Sequence, residues 1–254
     1  MRPRPHRQDR PSRGGHQSVW IWGRHAVLAA LNNPERRVDR LLLTRDAAGR
    51  QPAPTMAKAE ILSREDITRR LPAGAVHQGL AALVAPLEEP QLEDLLARCG
   101  DHALVLVLDQ VSDPHNVGAI LRSAAAFGVA GLIVTDRHAP ADTGVLAKAA
   151  SGALEIVPMV RAINLARTLE QLKEAGFWLY GLDERGDAAI VDIDLGGRAA
   201  IVLGAEGEGL RRLTVEKCDR LITIPTQGQL SALNVSNAAV VAAYEWARQR
   251  QGKF

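Results

Sequence analysis

The segment Ala103–Asp109 reads ALVLVLD, six consecutive apolar residues closed by a carboxylate. A run this short cannot cross a membrane, and it does not alternate, so it predicts a strand buried on both faces. Such a strand needs helical cover on each side of its sheet, and the chain supplies it. Further apolar segments at Gly131–Thr135, Ile156–Val160, Trp178–Gly181, Ala199–Leu203 and Leu221–Ile224 are interleaved with helical patterns. The helices lie near Gly118–Phe127, Gly144–Ala150, Ile163–Ala175 and Val235–Gln249. The alternation predicts an α/β domain with a mostly parallel sheet. Ligands of such sheets gather beyond the carboxyl ends of the strands, so the loops that follow strands are where chemistry is expected.

The N-terminal third has a smaller scale. Val19–Trp22, Val38–Thr44 and Leu80–Ala85 read as strands, Arg24–Asn32 and Met56–Leu71 as helices, which together make a β-α-β-α-β unit. Pro86, Glu88, Glu89 and Pro90 mark a linker, followed by a short amphipathic helix carrying Leu92, Leu95 and Leu96. The expected division is a tail at 1–17, a small α/β domain at 18–87, a connector at 88–101 and the larger domain at 102–254.

Composition narrows the classes of function. With 46% hydrophobic and 24% charged residues, the chain of 254 is an ordinary globular protein. It holds no apolar run long enough for a membrane span, and its basic start lacks the apolar core of a secretory signal. Cys99 and Cys218 stand far apart. That excludes a disulfide scaffold or a cysteine-rich zinc site and fits a reducing cytoplasm. No metal is expected. Residues 1–17 carry five arginines against Asp9, with prolines and glycines that cannot build a core. Such an arm suits a polyanion, RNA above all; a solubilising tail is the equal alternative.

Three loops after strands hold the candidate chemistry. The first, after Asp109, contains Asp113, Pro114, Asn116 and Gly118, then Arg122 among alanines and leucines. Arg122 either faces solvent or grips an anion at two points. The second is Gly204-Ala-Glu206-Gly207-Glu208-Gly209. Its glycine order is not that of a dinucleotide fold, and no Walker lysine follows. Glu206 would repel phosphates; it suits a cationic ligand or a hydroxyl, or merely caps a tight turn. The third loop runs from Pro225 to Asn234 and Ser236, polar residues that also suit the cap of the last helix.

These residues resemble the SPOUT superfamily of RNA methyltransferases, specifically its SpoU (TrmH-like) branch of ribose 2′-O-methyltransferases. The motifs are Asp113-Pro-His-Asn116-Val-Gly118-Ala-Ile-Leu-Arg122, Val202-Leu-Gly204-Ala-Glu206-Gly207-Glu-Gly209-Leu210, and Ile224-Pro225 with Leu233-Asn234-Val-Ser236. Lys148-Ala-Ala-Ser151-Gly152-Ala153 matches as well, and Gly23-Arg-His-Ala-Val27 and His77-Gln78-Gly79 are similar to the family's L30-like substrate-binding domain.

The resemblance implies a C-terminal trefoil knot and a homodimer. S-adenosylmethionine would lie in the knot, lined by Leu203, Gly204, Ile224 and Leu233. Asn116, Arg122, Glu206 and Asn234 would be the catalytic set, with Arg122 reaching a neighbouring protomer's pocket. Three positions depart from the family pattern: Ala232 stands where serine is usual, with Ser231 just before it, Thr226 replaces a methionine and Asn237 a valine.

The implied activity is 2′-O-methylation of structured RNA, foremost a guanosine of large-subunit ribosomal RNA. Transfer RNA is the alternative substrate, and a catalytically silent RNA-binding assembly protein the alternative role. A nucleotide-dependent oxidoreductase is disfavoured by the glycine order.

Overall fold

The computed structural model describes residues 18–50, 59–140, 143–228 and 233–251. The expected tail at 1–17 and the Ser231–Ala232 pair lie outside them.

The N-terminal part folds as β1 (Val19–Trp22), α1 (Arg24–Asn32), β2 (Val38–Leu43), α2 (Arg45–Ala48), β3 (Ala59–Ile61), α3 (Arg64–Thr68) and β4 (Leu80–Val84). Its sheet has the order β1-β4-β2-β3, antiparallel except for the parallel pair β2–β3. One expectation fails here. The helix predicted over Met56–Leu71 is a strand and a short helix over its described residues. Ala59–Ile61 pairs with Leu41–Leu43, and Arg40 grips Glu60 at two points of 2.8 Å across that pairing. Ser63 then accepts the Asp66 amide at 3.1 Å and starts the helix anew. The β-α-β-α-β unit therefore has an additional strand.

After the connector and α4 (Leu92–Arg98), the chain builds β5 (Ala103–Asp109), α5 (Pro114–Phe127), β6 (Gly131–Thr135) and α6 (Gly144–Ala150). There follow β7 (Met159–Ala162), α7 (Leu165–Glu174), β8 (Trp178–Leu182), β9 (Ala188–Ala189) and β10 (Arg198–Gly204). The chain continues through α8 (Arg212–Lys217) and β11 (Arg220–Thr223) to α9 (Val235–Gln251). The sheet order is β7-β6-β5-β10-β8-β11-β9, parallel throughout. β5 is buried at every residue. Its two-residue period sends Leu104, Leu106 and Leu108 into a core shared with α5 and α9, and Val105 and Val107 into one shared with α4 and α7. The strand expected at Ile156–Val160 starts later, at Met159. Ser151 and Gly152 turn through positive φ into a 3₁₀ turn at Ala153–Glu155, and Pro158 has no amide to give a ladder.

The two sheets do not hang on a loose tether. One apolar cluster runs from Ile21, Val27 and Leu43 into Leu104 and Leu146. Gly144 lies so close to Trp22 and the Trp20 carbonyl that any side chain would overlap them. Arg36 and Glu155 pair across the joint at 3.1 Å with both side chains almost fully buried, and Asn33 Nδ2 donates to Glu155 at 2.8 Å. Removing one member of so dry a pair strands a charge, which costs about 3–5 kcal/mol.

Candidate active site

The parallel sheet ends its central strands on a common ledge. In register, Asp109 of β5 lies beside Gly204 of β10, and Leu203 beside Leu182 of β8. The three loops singled out above leave from this ledge or close to it, and each contributes one polar side chain to a single cluster.

Asn116 sits in the first turn of α5. Asp113 caps that helix by accepting the His115 amide at 2.9 Å, and Pro114 occupies the first turn, where no amide partner is needed. Gly118 lets α5 pack directly on α6: an added Cβ would come 2.9 Å from the Ala150 nitrogen. Asn116 Nδ2 then donates to Glu206 Oε1 at 3.1 Å. Asn234 Nδ2 donates to Asn116 Oδ1 at 3.1 Å and also to Glu206 Oε1. Asn234 Oδ1 meanwhile accepts the Ser236 amide at 2.9 Å and its hydroxyl at 2.5 Å, which caps α9. Capping and clustering are thus the same arrangement, because a capping asparagine has an amide group to spare.

Glu206 projects from a loop that folds back on itself. Gly209 donates to the Ala205 carbonyl at 2.9 Å, and Gly207 and Gly209 take φ of 80° and 65°, a region that favours glycine. Gly204 packs against the Gly209 backbone with no room for a side chain. Glycine spacing here serves the loop's own closure.

Two carboxylates that the sequence reading passed over stand at strand ends beside this loop, and the first of them holds it in place. Asp109 has no exposed surface and accepts from Arg211 Nε at 2.7 Å, the Arg211 amide at 3.2 Å and Thr214 Oγ1 at 2.7 Å. It ties the end of β5 to the end of the glycine loop and the start of α8. Asp183, just past β8, accepts from Arg185 Nε and Nη2 at 2.7 and 2.8 Å. Those hydrogen bonds hold its carboxyl below the usual carboxylate range. The available signal was position: each aspartate directly follows an apolar strand.

Arg122 is elsewhere. It lies on the exposed flank of α5, lining a cavity of about 310 Å³ with His25, Ala125, Ser151 and Ile156. Among the described residues it makes no ion pair or hydrogen bond, and none joins it to Asn116, Glu206 or Asn234. Of the expected cofactor-lining residues, Leu203 is buried, Gly204 and Ile224 are half-buried on the ledge, and Leu233 is exposed beside Asn234. Among the described residues no group of acidic, histidine and cysteine side chains is placed to hold a metal. None of the described helices is long and apolar enough to cross a membrane.

Comparison with known proteins is consistent along the chain. Residues 103–244 match the model of the SpoU rRNA Methylase family, and residues 20–90 match that for RNA 2′-O ribose methyltransferase substrate binding. A 23S rRNA (guanosine-2′-O-)-methyltransferase RlmB of Vibrio vulnificus is 44% identical over 247 residues, which cover 91% of this chain and 97% of that protein. An uncharacterized tRNA/rRNA methyltransferase of Synechocystis is 40% identical over 240 residues, and there the match spans 62% of the relative's length. The crystal structure of the SpoU methyltransferase AviRb from Streptomyces viridochromogenes, in complex with the cofactor AdoMet, superposes with a TM-score of 0.75 at 25% identity. That match covers 92% of this chain and 91% of AviRb.

Proposed function

Because the chain belongs to the SpoU rRNA methylase family, we propose that it transfers a methyl group from S-adenosylmethionine to a ribose 2′-hydroxyl of large-subunit ribosomal RNA, on a guanosine as in its RlmB relatives. The observation that carries this reading is the Asn116–Glu206–Asn234 cluster at the strand ends. Among the described residues Glu206 has no cationic partner and is held by two carboxamides. A carboxylate left uncompensated in this way fits a cationic sulfonium or a hydroxyl and disfavours a nucleotide phosphate. The half-buried backbone at Gly204 and Ile224 and the apolar Leu203 and Leu233 fit the rest of such a cofactor.

When bound, the cofactor supplies an electrophilic methyl group. The chain's own residues do the positioning. Asn116 and Asn234 fix the Glu206 carboxylate, which would take the proton of the incoming hydroxyl as the hydroxyl oxygen accepts the methyl group and the neutral thioether S-adenosylhomocysteine departs. Arg122 clamps an adjacent phosphate and aligns that hydroxyl, since a guanidinium remains a donor and does not serve as a base. Alignment of this kind lowers barriers by about 7 kcal/mol in favourable cases. Arg122 stands apart from the cluster in its own chain, which supports a homodimer in which a second copy's Arg122 completes the site. In this reading residues 18–87 select the RNA, 88–101 connect, and 102–254 carry the chemistry in the cytoplasm. The return of Asn234 from the far side of β8 to the loop after β5 supports a knotted C-terminus.

Labelled methyl transfer to a 23S rRNA transcript, mapped by resistance to alkaline cleavage, tests the proposal. One protected guanosine is expected. Methylation of transfer RNA alone, of a base, or of nothing while RNA is still bound would overturn it.

A further inference from the structure

A second cavity, of about 320 Å³, opens in the N-terminal part and is lined by Arg24, His25, Asp46, Arg50, Arg64 and Gln78, among others. Arg24 and His25 begin α1, Arg50 follows α2, and Arg64 begins α3, so separate elements aim cations at one space. Among the described residues none of the three guanidiniums has a carboxylate partner. Arg40 and Arg69, on the same small domain, are both paired at the surface. Among the described residues Asp46 is the one acidic group in the lining. Three uncompensated guanidiniums around a polar hollow repel one another unless an anion enters, and their planar forks match phosphate oxygens.

Gln78 adds an independent observation. It holds φ at 55°, a left-handed conformation unusual for a residue with a side chain. The conformation turns Oε1 to accept from both the Arg24 amide and Lys148 Nζ at 3.2 Å, which joins the cavity wall to α6 of the larger domain. Its Nε2 is left without a partner among the described residues, a further donor on the lining. His25 lines this cavity and also the one that holds Arg122. The two hollows therefore meet at one residue.

We propose that Arg24, Arg50, Arg64 and Gln78 bind the phosphate backbone of an RNA strand next to the methylated nucleotide, and that the strand passes His25 to reach Arg122. The volume lies at the low end of the range for small-ligand sites, about 300–1,000 Å³, which suits one nucleotide unit and excludes a duplex. The proposal rests on the RNA reading above and deepens it.

The test uses the full chain and the double variant Arg24→Gln/Arg64→Gln, with Arg98→Gln/Arg167→Gln, exposed arginines outside the cavity, as control. The 23S rRNA transcript is the probe. For the cavity variant the expected result is an RNA KM raised at least about tenfold, kcat within twofold, and a log–log salt slope for RNA binding lower by about 2. The control should match wild type, and Arg64→Lys should recover part of the affinity. An unchanged slope and KM in the cavity variant, or the same loss in the control, would overturn the proposal. If the wild type binds the transcript without methylating it, the methyl-transfer reading fails, while the salt slope still decides the cavity. A wild type that binds no RNA overturns both.

Discussion

The two polar regions of this molecule are built in opposite ways. At the ledge of the large sheet, Asn116, Glu206 and Asn234 spend their hydrogen bonds on one another, and buried Asp109 ties the loop beneath them to α8. In the small domain, Arg24, Arg50 and Arg64 surround a hollow and spend their charges on nothing in the described chain. The first region is preorganised and, among the described residues, carries one uncompensated negative charge. The second is open and positive. Groups that position a reaction need fixed geometry before the substrate arrives, whereas groups that bind a polyanion work by leaving charge to be neutralised.

The largest test of that contrast is Asp109→Ala. It leaves the Arg211 amide and the Thr214 hydroxyl unsatisfied and frees the glycine loop, so unfolding free energy should fall by about 1–3 kcal/mol for each donor stranded. S-adenosylmethionine binding, followed by calorimetry, should vanish with it. Arg50→Gln in the other region should change stability by less than about 0.5 kcal/mol. Equal losses at the two positions would erase the distinction between a built site and an open one.

Arg122→Lys comes next. It keeps the charge and loses the planar grip, so turnover should drop about a hundredfold, about 2.7 kcal/mol, with cofactor affinity within twofold. Co-expressed Arg122→Ala and Glu206→Gln chains should regain part of the activity as mixed dimers. Near-normal turnover of the lysine variant at high pH would instead give Arg122 the role of a base, and no recovery in mixtures would confine the site to one chain.

A smaller effect is expected from the arm. Deleting residues 1–17 removes five arginines, which should flatten the salt dependence of RNA affinity and leave turnover at saturating RNA unchanged. A drop in that turnover would mean that the arm enters the site.

The smallest concerns pH. His77 is buried between β4 and α3, with Nδ1 accepting the Gly79 amide at 3.2 Å and Nε2 lying 3.2 Å from Thr68 Oγ1. Burial, with Arg64 nearby, lowers its pKa from the ordinary 6.5. The unfolded chain then binds the proton more readily than the folded one. Its contribution to stability is complete above pH 6.5 and declines as pH falls from there toward the lowered value. Amide exchange should show this loosening in β4 and α3 and not in β5 or β10, and His77→Gln should abolish it.

Much of the fold follows from local pattern. An unbroken apolar run as short as Ala103–Leu108 favours a strand covered on both faces, and Asp113-Pro114 with Gly128 marks the ends of α5 without reference to anything distant. Asn116, Glu206 and Asn234 were legible because each follows a strand of a parallel sheet, and that topology brings strand ends together. Where the reading failed, the deciding interaction was long-range. Ala59–Ile61 is a strand because Leu41–Leu43 offers it a free edge, and helical periodicity around it carries no record of that edge. Asp109 becomes a support of the site only once Arg211 and Thr214 are folded against it. The distance of Arg122 from the cluster, the shared wall at His25 and the dry Arg36–Glu155 pair belong to tertiary structure alone. They depend on how two sheets are set against each other, and no spacing within either segment encodes that.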